Sequence, residues 1–296
     1  MVAAFWEAGF LKVAVIGGAG RMGRWFVRHF VNQGEEVAIS DIIRSEAESV
    51  AMSTGAQVAE HNLGAVEKAD LVVVSTPIEV TPRVLKEICS ALRPSATIME
   101  ISSLKSKVVP VLERIAKRGV KAVSVHPLFG PGVQRLAGER VALIPVSDPT
   151  SELRLGRNLF PEAEIVVVDV EEHDRAMALT LSLPHFLNVA FASVVGEEDL
   201  NVLKKLGGTT FALQLVLAEA VMTEDPDLYA SIQMGNLYTV ECLERFLQRA
   251  GILRDHVAEK DVRSFSRFYA DIRSWISKDR DFGVAYERMY RALEAL

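Results

Sequence analysis

Cysteine is scarce in this sequence of 296 residues. Its two cysteines, Cys89 and Cys242, lie far apart, and neither belongs to a CxxC pair. A disulfide framework needs several paired cysteines, and a structural zinc site needs clustered ones. Neither is expected here, no bound metal is expected, and a reducing cytoplasm is the expected compartment.

Positive charge is also in deficit. The chain has 33 lysines and arginines against 39 aspartates and glutamates, a formal net charge of −6, and its isoelectric point is about 5.6. Nucleic-acid binding requires a basic surface that can neutralise phosphates. The composition therefore excludes a general nucleic-acid binder and leaves open a local basic pocket for a small anionic ligand.

Long hydrophobic segments are missing as well. The first ten residues are apolar, but Glu7 interrupts them and no basic segment precedes them. This pattern is not that of a secretory signal peptide. The longest apolar runs have the length of strands, so a transmembrane helix is not expected. We therefore expect a soluble, cytoplasmic protein with no membrane partner.

The first part of the chain alternates between strand and helix patterns. Short β-branched runs predict strands over residues 11–16, 36–40, 69–76, 97–101 and 120–125. Apolar residues at helical spacing predict helices over residues 21–33, 45–54, 80–92 and 107–118. This alternation predicts an α/β Rossmann domain with a doubly wound parallel sheet, which binds ligands at the carboxyl ends of its strands. With one more helix and strand it spans residues 1–170, and residues 171–296 are predicted to form an all-α domain.

A glycine-rich turn joins the first predicted strand to the first predicted helix. It has the pattern GxGxxG, formed by Gly18, Ala19, Gly20, Arg21, Met22 and Gly23. Such glycines allow a tight turn, a close approach of the backbone to a pyrophosphate, and close packing of helix on strand. Asp41 ends the second strand at the spacing expected of a carboxylate that binds the ribose 2′-hydroxyl. The pattern predicts an NAD site, and Arg44 leaves NADP as the less favoured alternative.

Three polar segments follow later strands. Ser75, Thr76 and Pro77 begin the segment STPIEVT, which would lie across the nicotinamide half of the cofactor. SSLK occupies residues 102–105, and HPLFGP occupies residues 126–131. Because ligands bind at the carboxyl ends of parallel strands, His126 is predicted at the ligand-facing rim of the sheet.

These motifs, in this order, resemble those of the prephenate dehydrogenase family of tyrosine biosynthesis. The resemblance continues as EHD at 172–174, LPHF at 183–186 and DPDLY at 225–229, and so covers roughly residues 11–240. It implies an NAD-dependent oxidative decarboxylation of prephenate to 4-hydroxyphenylpyruvate. In that reaction a hydride leaves C4 of the ring, the 4-hydroxyl loses its proton and CO₂ departs.

The resemblance also implies roles for three residues. His126 would accept the proton of the 4-hydroxyl, which suits a neutral imidazole. Ser103 would support that hydroxyl or His126, and His185 would line the same cleft from the helical domain. Each has a structural alternative: His126 could form a turn, His185 could be a core histidine, and Ser103 could cap a helix. Likewise Lys105 could be a solvated charge and His173 a structural residue near a helix terminus.

One part of the family pattern is missing. The resemblance implies an arginine shortly before the DPxx-aromatic stretch, where it pairs with a substrate carboxylate, and here that position is Ala220. Alanine cannot replace a bidentate guanidinium. The candidate replacements are two arginines in the loop after HPLFGP and two lysines before a glycine pair, namely Arg135, Arg140, Lys204 and Lys205.

The second part of the chain is predicted to be helical and strongly apolar. The helices over 175–195 and 211–222 are too apolar for solvent-exposed helices, and the resemblance implies a homodimer formed through this domain. Three alternatives to the prephenate reaction stay open: arogenate as the substrate, another two-domain NAD(P) oxidoreductase, or a catalytically silent dinucleotide-binding sensor. The β-hydroxyacid dehydrogenases rely on a lysine in the first long helix of the helical domain, and residues 172–196 contain none.

Overall fold

The computed structural model describes residues 11–295, and the first of its two compact units is built on one eight-stranded sheet. The strands are β1 (Lys12–Ile16), β2 (Glu36–Ser40), β3 (Gln57–Val58), β4 (Leu71–Val74), β5 (Thr97–Glu100), β6 (Lys121–Pro127), β7 (Arg140–Ile144) and β8 (Glu164–Val167). Their order across the sheet is β3-β2-β1-β4-β5-β6-β7-β8. The predicted α/β Rossmann class is confirmed. The prediction about a signal peptide concerns residues 1–10, which lie outside the described residues.

Helices cover both faces of this sheet. They are α1 (Arg21–Asn32), α2 (Arg44–Thr54), α3 (Asn62–Val66), α4 (Thr81–Ile88), α5 (Val109–Ala116), α6 (Pro149–Leu159) and α7 (Val170–Met177). Strand side chains alternate between two cores, because successive side chains point to opposite faces. Val13 and Val15 pack with α1 and α6 residues such as Phe26 and Leu155. Ala14 and Ile16 pack with the other core, which contains Leu85 and Leu112 of α4 and α5.

The sheet is not parallel throughout, and this corrects the sequence-based expectation. Strand β7 runs antiparallel to β6, with His126 opposite Ala142 and Pro127 opposite Val141. The segment was predicted as a loop because it follows a stretch rich in glycine and proline. Its apolar side chains nevertheless pack on both faces of the sheet, because Val141 and Leu143 join the Phe26 core and Ala142 and Ile144 pack with Val109, Val168 and Val170. Arg140, predicted in the loop, is therefore the first residue of a strand.

The chain forms two compact units. The first contains the described residues up to Met177 together with Ala230–Asn236, and the second contains Ala178–Tyr229 and the described residues from Leu237 onward. The second unit is helical. It contains a π-helical turn (Ala178–Ser182) and a 3₁₀ turn (Phe282–Val284), and its helices are α8 (Leu183–Val195), α9 (Leu200–Leu206), α10 (Thr209–Met222), the start of α11 (Pro226–Gly235), α12 (Thr239–Ala258), α13 (Val262–Ile276) and α14 (Ala285–Glu294).

One helical run is longer and more apolar than the sequence suggested. The run Val170–Val195 has 26 residues, and by length and composition alone it could cross a membrane. The expectation that no segment is long enough is therefore wrong. It failed because Ser182, His185 and Asn188 interrupt the apolar run, although the helix continues through them.

The second unit leaves much apolar surface exposed. Asn188 is the one buried residue of α8, and α13 contains none. Val194 and Leu206 are 68% and 81% exposed. Inside the unit, Phe191 packs on Phe211 with ring centroids 6.2 Å apart, and the Gln214 amide donates to Oδ1 of Asn188 at 2.8 Å. These helices bury fewer apolar side chains than their composition would allow.

Candidate active site

The glycine turn has the geometry of an anion-binding cradle. Gly17 has φ of +77°, and a Cβ there would lie 2.5 Å from the carbonyl oxygen of Ser75. A Cβ at Gly23 would collide with the carbonyl oxygen of Gly17 and lie 2.8 Å from Cα of Gly18. The nearest atom to a Cβ at Gly20, by contrast, is 3.4 Å away. The space beside Gly20, at the N-terminus of α1, is therefore open to a phosphate group.

Asp41 lies beside this turn, at the end of β2. Its Oδ2 accepts a hydrogen bond from the backbone N–H of Ala19 at 2.9 Å, and its Oδ1 accepts one from Ile43 at 3.0 Å. A carboxylate has about four acceptor positions, so Asp41 can still accept from a ribose hydroxyl. The charge of Arg44 is paired with Glu48, whose Oε1 lies 2.8 Å from Nε of the arginine.

The segment after β4 completes the cradle on its other side. The backbone N–H of Ser75 donates to the carbonyl of Ile16 at 2.8 Å, which places it next to Gly17. The hydroxyls of Thr76 and Thr81 lie 2.8 Å apart and fix the turn that contains Pro77. The predicted cofactor residues of β1, β2 and β4 thus meet at one edge of the sheet.

His126 lies near the end of β6 and is 7% exposed. Its Nδ1 is 3.1 Å from Nε2 of His173, and Nδ1 of His173 is 2.8 Å from Oδ1 of Asp174. That carboxylate also accepts backbone N–H groups of Lys105 and Ser106, each at 3.0 Å. Asp174, His173 and His126 therefore form one hydrogen-bonded chain, which we name the histidine relay.

The ionised carboxylate fixes the direction of the relay. Burial alone would raise the pKa of Asp174, but the hydrogen bonds from His173, Lys105 and Ser106 outweigh it and hold the pKa below its usual value. An ionised carboxylate only accepts, so Nδ1 of His173 donates to it, and in the neutral form of the His173 ring Nε2 accepts. His126 then donates through Nδ1, which leaves its Nε2 with a lone pair. Within residues 11–295, Nε2 has no hydrogen-bond partner and is not among the fully buried unpaired atoms.

A buried ion pair stands behind His126. Lys105 and Glu100 are both fully buried, with Nζ 2.6 Å from Oε1. Nζ also donates to the carbonyl of Val125 at 2.7 Å, and Glu100 accepts from the hydroxyl of Ser124 and the N–H of Ser102. Burial lowers the pKa of Lys105, opposed by Glu100.

The environment of His126 keeps its ring neutral. Burial, then the charge of Lys105, then His173 together hold the pKa of His126 well below its ordinary value of 6.5. A neutral ring with an open Nε2 can accept a proton from a ligand. Because the side chain of Lys105 is fully buried, the alternative that it is a solvated surface charge is wrong.

Ser103 lies half-buried after β5, between Ser102 and Leu104. Helix α5 begins six residues later, and its N-cap is Val108, so Ser103 does not cap that helix. Ser103 thus stays available for the predicted role beside the substrate hydroxyl. The hydroxyl of its neighbour Ser102 is buried and makes no hydrogen bond within the described part of the chain.

The other predicted site residues are not part of the histidine relay. His185 lies in the second unit, where its ring packs against Tyr229 at a centroid distance of 4.6 Å and burial lowers its pKa. Lys204 pairs with Glu219 at 2.8 Å, and Lys205 is exposed in the last turn of α9. Arg135 is exposed in the loop between β6 and β7. Among residues 11–295, no group of three or more histidine, cysteine, aspartate or glutamate side chains could hold a metal ion.

Two site residues were missed as functional residues by sequence reasoning. His173 was treated as structural, and Asp174 was noted as part of the EHD motif with no role. The EHD motif was the available signal, but a sequence does not show that the first turn of α7 packs against the end of β6. Glu100, the last residue of a fully buried strand, was missed for the same reason, because the sequence does not show that Lys105 folds back onto it.

Comparisons with known proteins identify a family. The family model described as "Prephenate dehydrogenase, nucleotide-binding domain" matches residues 27–169, and the one described as "Prephenate dehydrogenase, dimerization domain" matches residues 169–271. A probable arogenate/prephenate dehydrogenase of Methanocaldococcus jannaschii is 28% identical over 93% of this chain, which spans only 63% of that relative's length. The 4-amino-4-deoxyprephenate dehydrogenase of Streptomyces pristinaespiralis is 27% identical, and the alignment covers 95% of each chain.

Solved structures show the same fold. The prephenate dehydrogenase of Aquifex aeolicus, determined with hydroxyphenyl propionate and NAD⁺, superposes with a TM-score of 0.73 at 20% identity and covers 93% of this chain and all of the other. The arogenate dehydrogenase of Synechocystis superposes with a TM-score of 0.67 at 19% identity, covering 90% of this chain and 99% of the other.

Proposed function

This chain belongs to the prephenate dehydrogenase family, and we propose that it catalyses the NAD-dependent oxidative decarboxylation of prephenate to 4-hydroxyphenylpyruvate. The histidine relay carries the proposal, because it leaves Nε2 of His126 as an open acceptor. A base in that position suits a reaction in which a ring hydroxyl loses its proton while a hydride leaves the same carbon.

The cofactor site favours NAD⁺ over NADP⁺. A pyrophosphate fits the N-terminus of α1, where Gly20 leaves space for it, and Asp41 can accept from a ribose hydroxyl but would repel a 2′-phosphate. Arg44, the nearby cation that could bind such a phosphate, is paired with Glu48. When bound, NAD⁺ supplies the acceptor for the hydride that leaves C4.

The residues of this chain then supply the acid–base part of the reaction. Nε2 of His126 accepts the proton of the 4-hydroxyl, and Ser103 orients that hydroxyl. The positive charge that develops on the His126 ring is stabilised through His173 by the carboxylate of Asp174. His173 and Asp174 are positioning residues, since they act through His126. Aromatisation drives the loss of CO₂, so the protein mainly needs to hold the ring in place.

The decisive experiment is an assay of the purified protein. With NAD⁺ and prephenate it should form NADH, followed by absorbance, and release CO₂. His126→Asn should lower kcat by about 10²- to 10⁴-fold, the usual contribution of a general base, and should leave the affinity for NAD⁺ unchanged. Turnover of arogenate alone would change the substrate. NAD⁺ binding without turnover of either compound would favour the silent sensor.

The second unit supports a homodimer. It matches a family model described as a dimerization domain, and its helices expose large apolar side chains such as Val194 and Leu206. A second copy of the chain would cover such a surface. This assignment also accounts for the apolar run Val170–Val195 without a membrane, and we keep the cytoplasm as the proposed compartment.

A further inference from the structure

The antiparallel pairing of β6 and β7 places one arginine on the same face of the sheet as His126. His126 is opposite Ala142, and residues directly opposite each other in an antiparallel pair project to the same face. Side chains two apart along a strand also share a face. Arg140 therefore projects from the face of His126, two residue pairs further along and just past the end of β6, where its carbonyl accepts the N–H of Leu128 at 2.9 Å.

Core packing agrees with this assignment of faces. Ala142 and Ile144 pack with Val168 and Val170 at the start of α7, the helix that carries His173. Val141 packs into the other core. Arg140, which alternates with Val141, thus lies on the α7 side, as His126 does.

The spacing suits a ligand that reaches from one side chain to the other. Diagonal neighbours in an antiparallel pair lie about 7–8 Å apart, within the reach of long side chains. The long side chain of Arg140 can therefore reach a ligand that is held against His126. Arg140 is exposed, and no ion pair within 4.0 Å engages it in the described part of the chain. Glu164, its exposed neighbour on β8, forms no ion pair with it.

Other cations at this edge of the sheet are engaged or loosely held. Arg24 pairs with Glu46, and Lys105 is buried with Glu100. Arg135 is exposed, but it belongs to a loop and its position is not set by strand pairing. Arg140 is a cation that the sheet itself fixes relative to the base.

We propose that Arg140 binds the side-chain carboxylate of the substrate and so directs its 4-hydroxyl toward Nε2 of His126. The inference rests on the proposed function and assigns the carboxylate contact that Ala220 cannot make. In prephenate the side chain is attached to the ring opposite C4, so its carboxylate and the hydroxyl mark the two ends of the molecule. The ring carboxylate is the poorer partner, because it leaves as CO₂ and binding it in the ground state would oppose its loss. A guanidinium can pair with a carboxylate through two parallel hydrogen bonds.

A binding experiment tests this contact without turnover. The probe is 4-hydroxyphenylpropionate, added to the NAD⁺-loaded protein, and its matched comparison is the corresponding primary alcohol. Arg140→Gln should weaken binding of the acid about 10- to 100-fold, as for a lost hydrogen-bonded charge pair, and leave binding of the alcohol unchanged. Arg140→Lys should recover part of the loss. In turnover, Arg140→Gln should raise KM for prephenate more than it lowers kcat.

The control for this experiment is a variant on the other face of the sheet. Arg157→Gln removes the same charge from α6, which packs on the other face of the sheet, and should leave binding of the acid unchanged. Equal losses for acid and alcohol, or no loss for either, would overturn the role of Arg140. So would a loss caused by Arg135→Gln instead. Failure of the unaltered protein to turn over prephenate would count against the proposed function itself, whereas an effect of Arg140→Gln alone tests only this contact.

Discussion

Nδ1 of His126 lies 3.1 Å from Nε2 of His173. Two imidazoles joined in this way cannot both donate through the shared contact, so the protonation of one ring sets the tautomer of the other. Because Asp174 accepts from the far nitrogen of His173, the chain of donors points away from the open nitrogen of His126. A carboxylate two residues removed in the relay thus decides which atom can act as a base.

Stability should depend on pH through His126. Its pKa in the folded protein lies well below 6.5, so above about pH 6.5 the ring is neutral in both folded and unfolded chains and contributes no difference. As the pH falls below that value, the unfolded chain takes up a proton that the folded protein refuses, and stability is lost. Urea unfolding at pH near 7 and at about pH 5 should show this loss.

His126→Asn should make that loss smaller. The comparison of variant with unaltered protein is needed because burial also lowers the pKa of His29 and His185, which therefore add losses of the same sign. An identical pH dependence in both proteins would show that His126 titrates normally. The acid limb of kcat/KM should likewise lie below about pH 6.5.

Asp174→Asn should impair catalysis by reversing the relay. The oxygen of the amide would accept the N–H groups of Lys105 and Ser106, and its NH₂ group would face Nδ1 of His173. His173 would then donate to His126, whose Nε2 would carry a proton and lose its function as a base. We expect kcat to fall between about 10²- and 10⁴-fold. Asp169→Asn is the control, since within residues 11–295 the side chain of Asp169 accepts one hydrogen bond, from the backbone N–H of Glu172 in α7. Normal kcat with Asp174→Asn would exclude the relay.

Lys105→Met should have two separable effects. Removing one partner of a buried ion pair costs about 3–5 kcal/mol, because Glu100 would remain buried and charged; urea unfolding measures this loss. The charge of Lys105 also lowers the pKa of His126, so the acid limb of kcat/KM should move to higher pH. The double variant with Glu100→Gln should recover part of the stability. A stable Lys105→Met protein with an unmoved acid limb would contradict both expectations.

Gly20→Ala and Gly23→Ala should separate cofactor binding from folding. A methyl group at Gly20 has room in the protein alone but occupies the space proposed for the pyrophosphate. Gly20→Ala should therefore keep its thermal transition and bind NAD⁺ about tenfold or more weakly. A methyl group at Gly23 meets backbone atoms on two sides, so Gly23→Ala should lower the thermal transition. Equal NAD⁺ affinity in Gly20→Ala and the unaltered protein would place the cofactor elsewhere.

The exposed apolar face of the second unit should mediate dimer formation. Light scattering should give twice the mass of one chain, and Val194→Glu or Leu206→Glu should shift the mass toward that of the monomer. Met52→Glu is the matched control, since Met52 is 88% exposed in the first unit. If the unaltered protein is monomeric at micromolar concentration, the proposed homodimer is wrong. If it partitions into membranes, Val170–Val195 is better explained as a membrane-crossing helix.

The sequence was informative wherever a pattern is local. The buried strand before Gly17, the glycine turn and the alternation of strands with helices each follow from neighbouring residues, and the fold they predict is confirmed. Contacts between distant segments were not accessible in this way. Lys105 looks like an ordinary surface charge until β5 and β6 enclose it, and His173 gains its role only because α7 returns to the sheet 47 residues after His126. Strand β7 escaped prediction because a short apolar run after glycines and prolines is ambiguous.

The position of His173 and Asp174 on α7 has a consequence for dividing the chain. The nucleotide-binding family model ends at residue 169, whereas His173 and Asp174 follow that residue and still belong to the first compact unit. A fragment ending at 169 would keep the dinucleotide cradle and His126 but lack the groups that set its tautomer. Recombination between two relatives at that point would combine the His126 of one with the His173 and Asp174 of the other. The segment that carries His126 and the segment that carries His173 and Asp174 should therefore be inherited together.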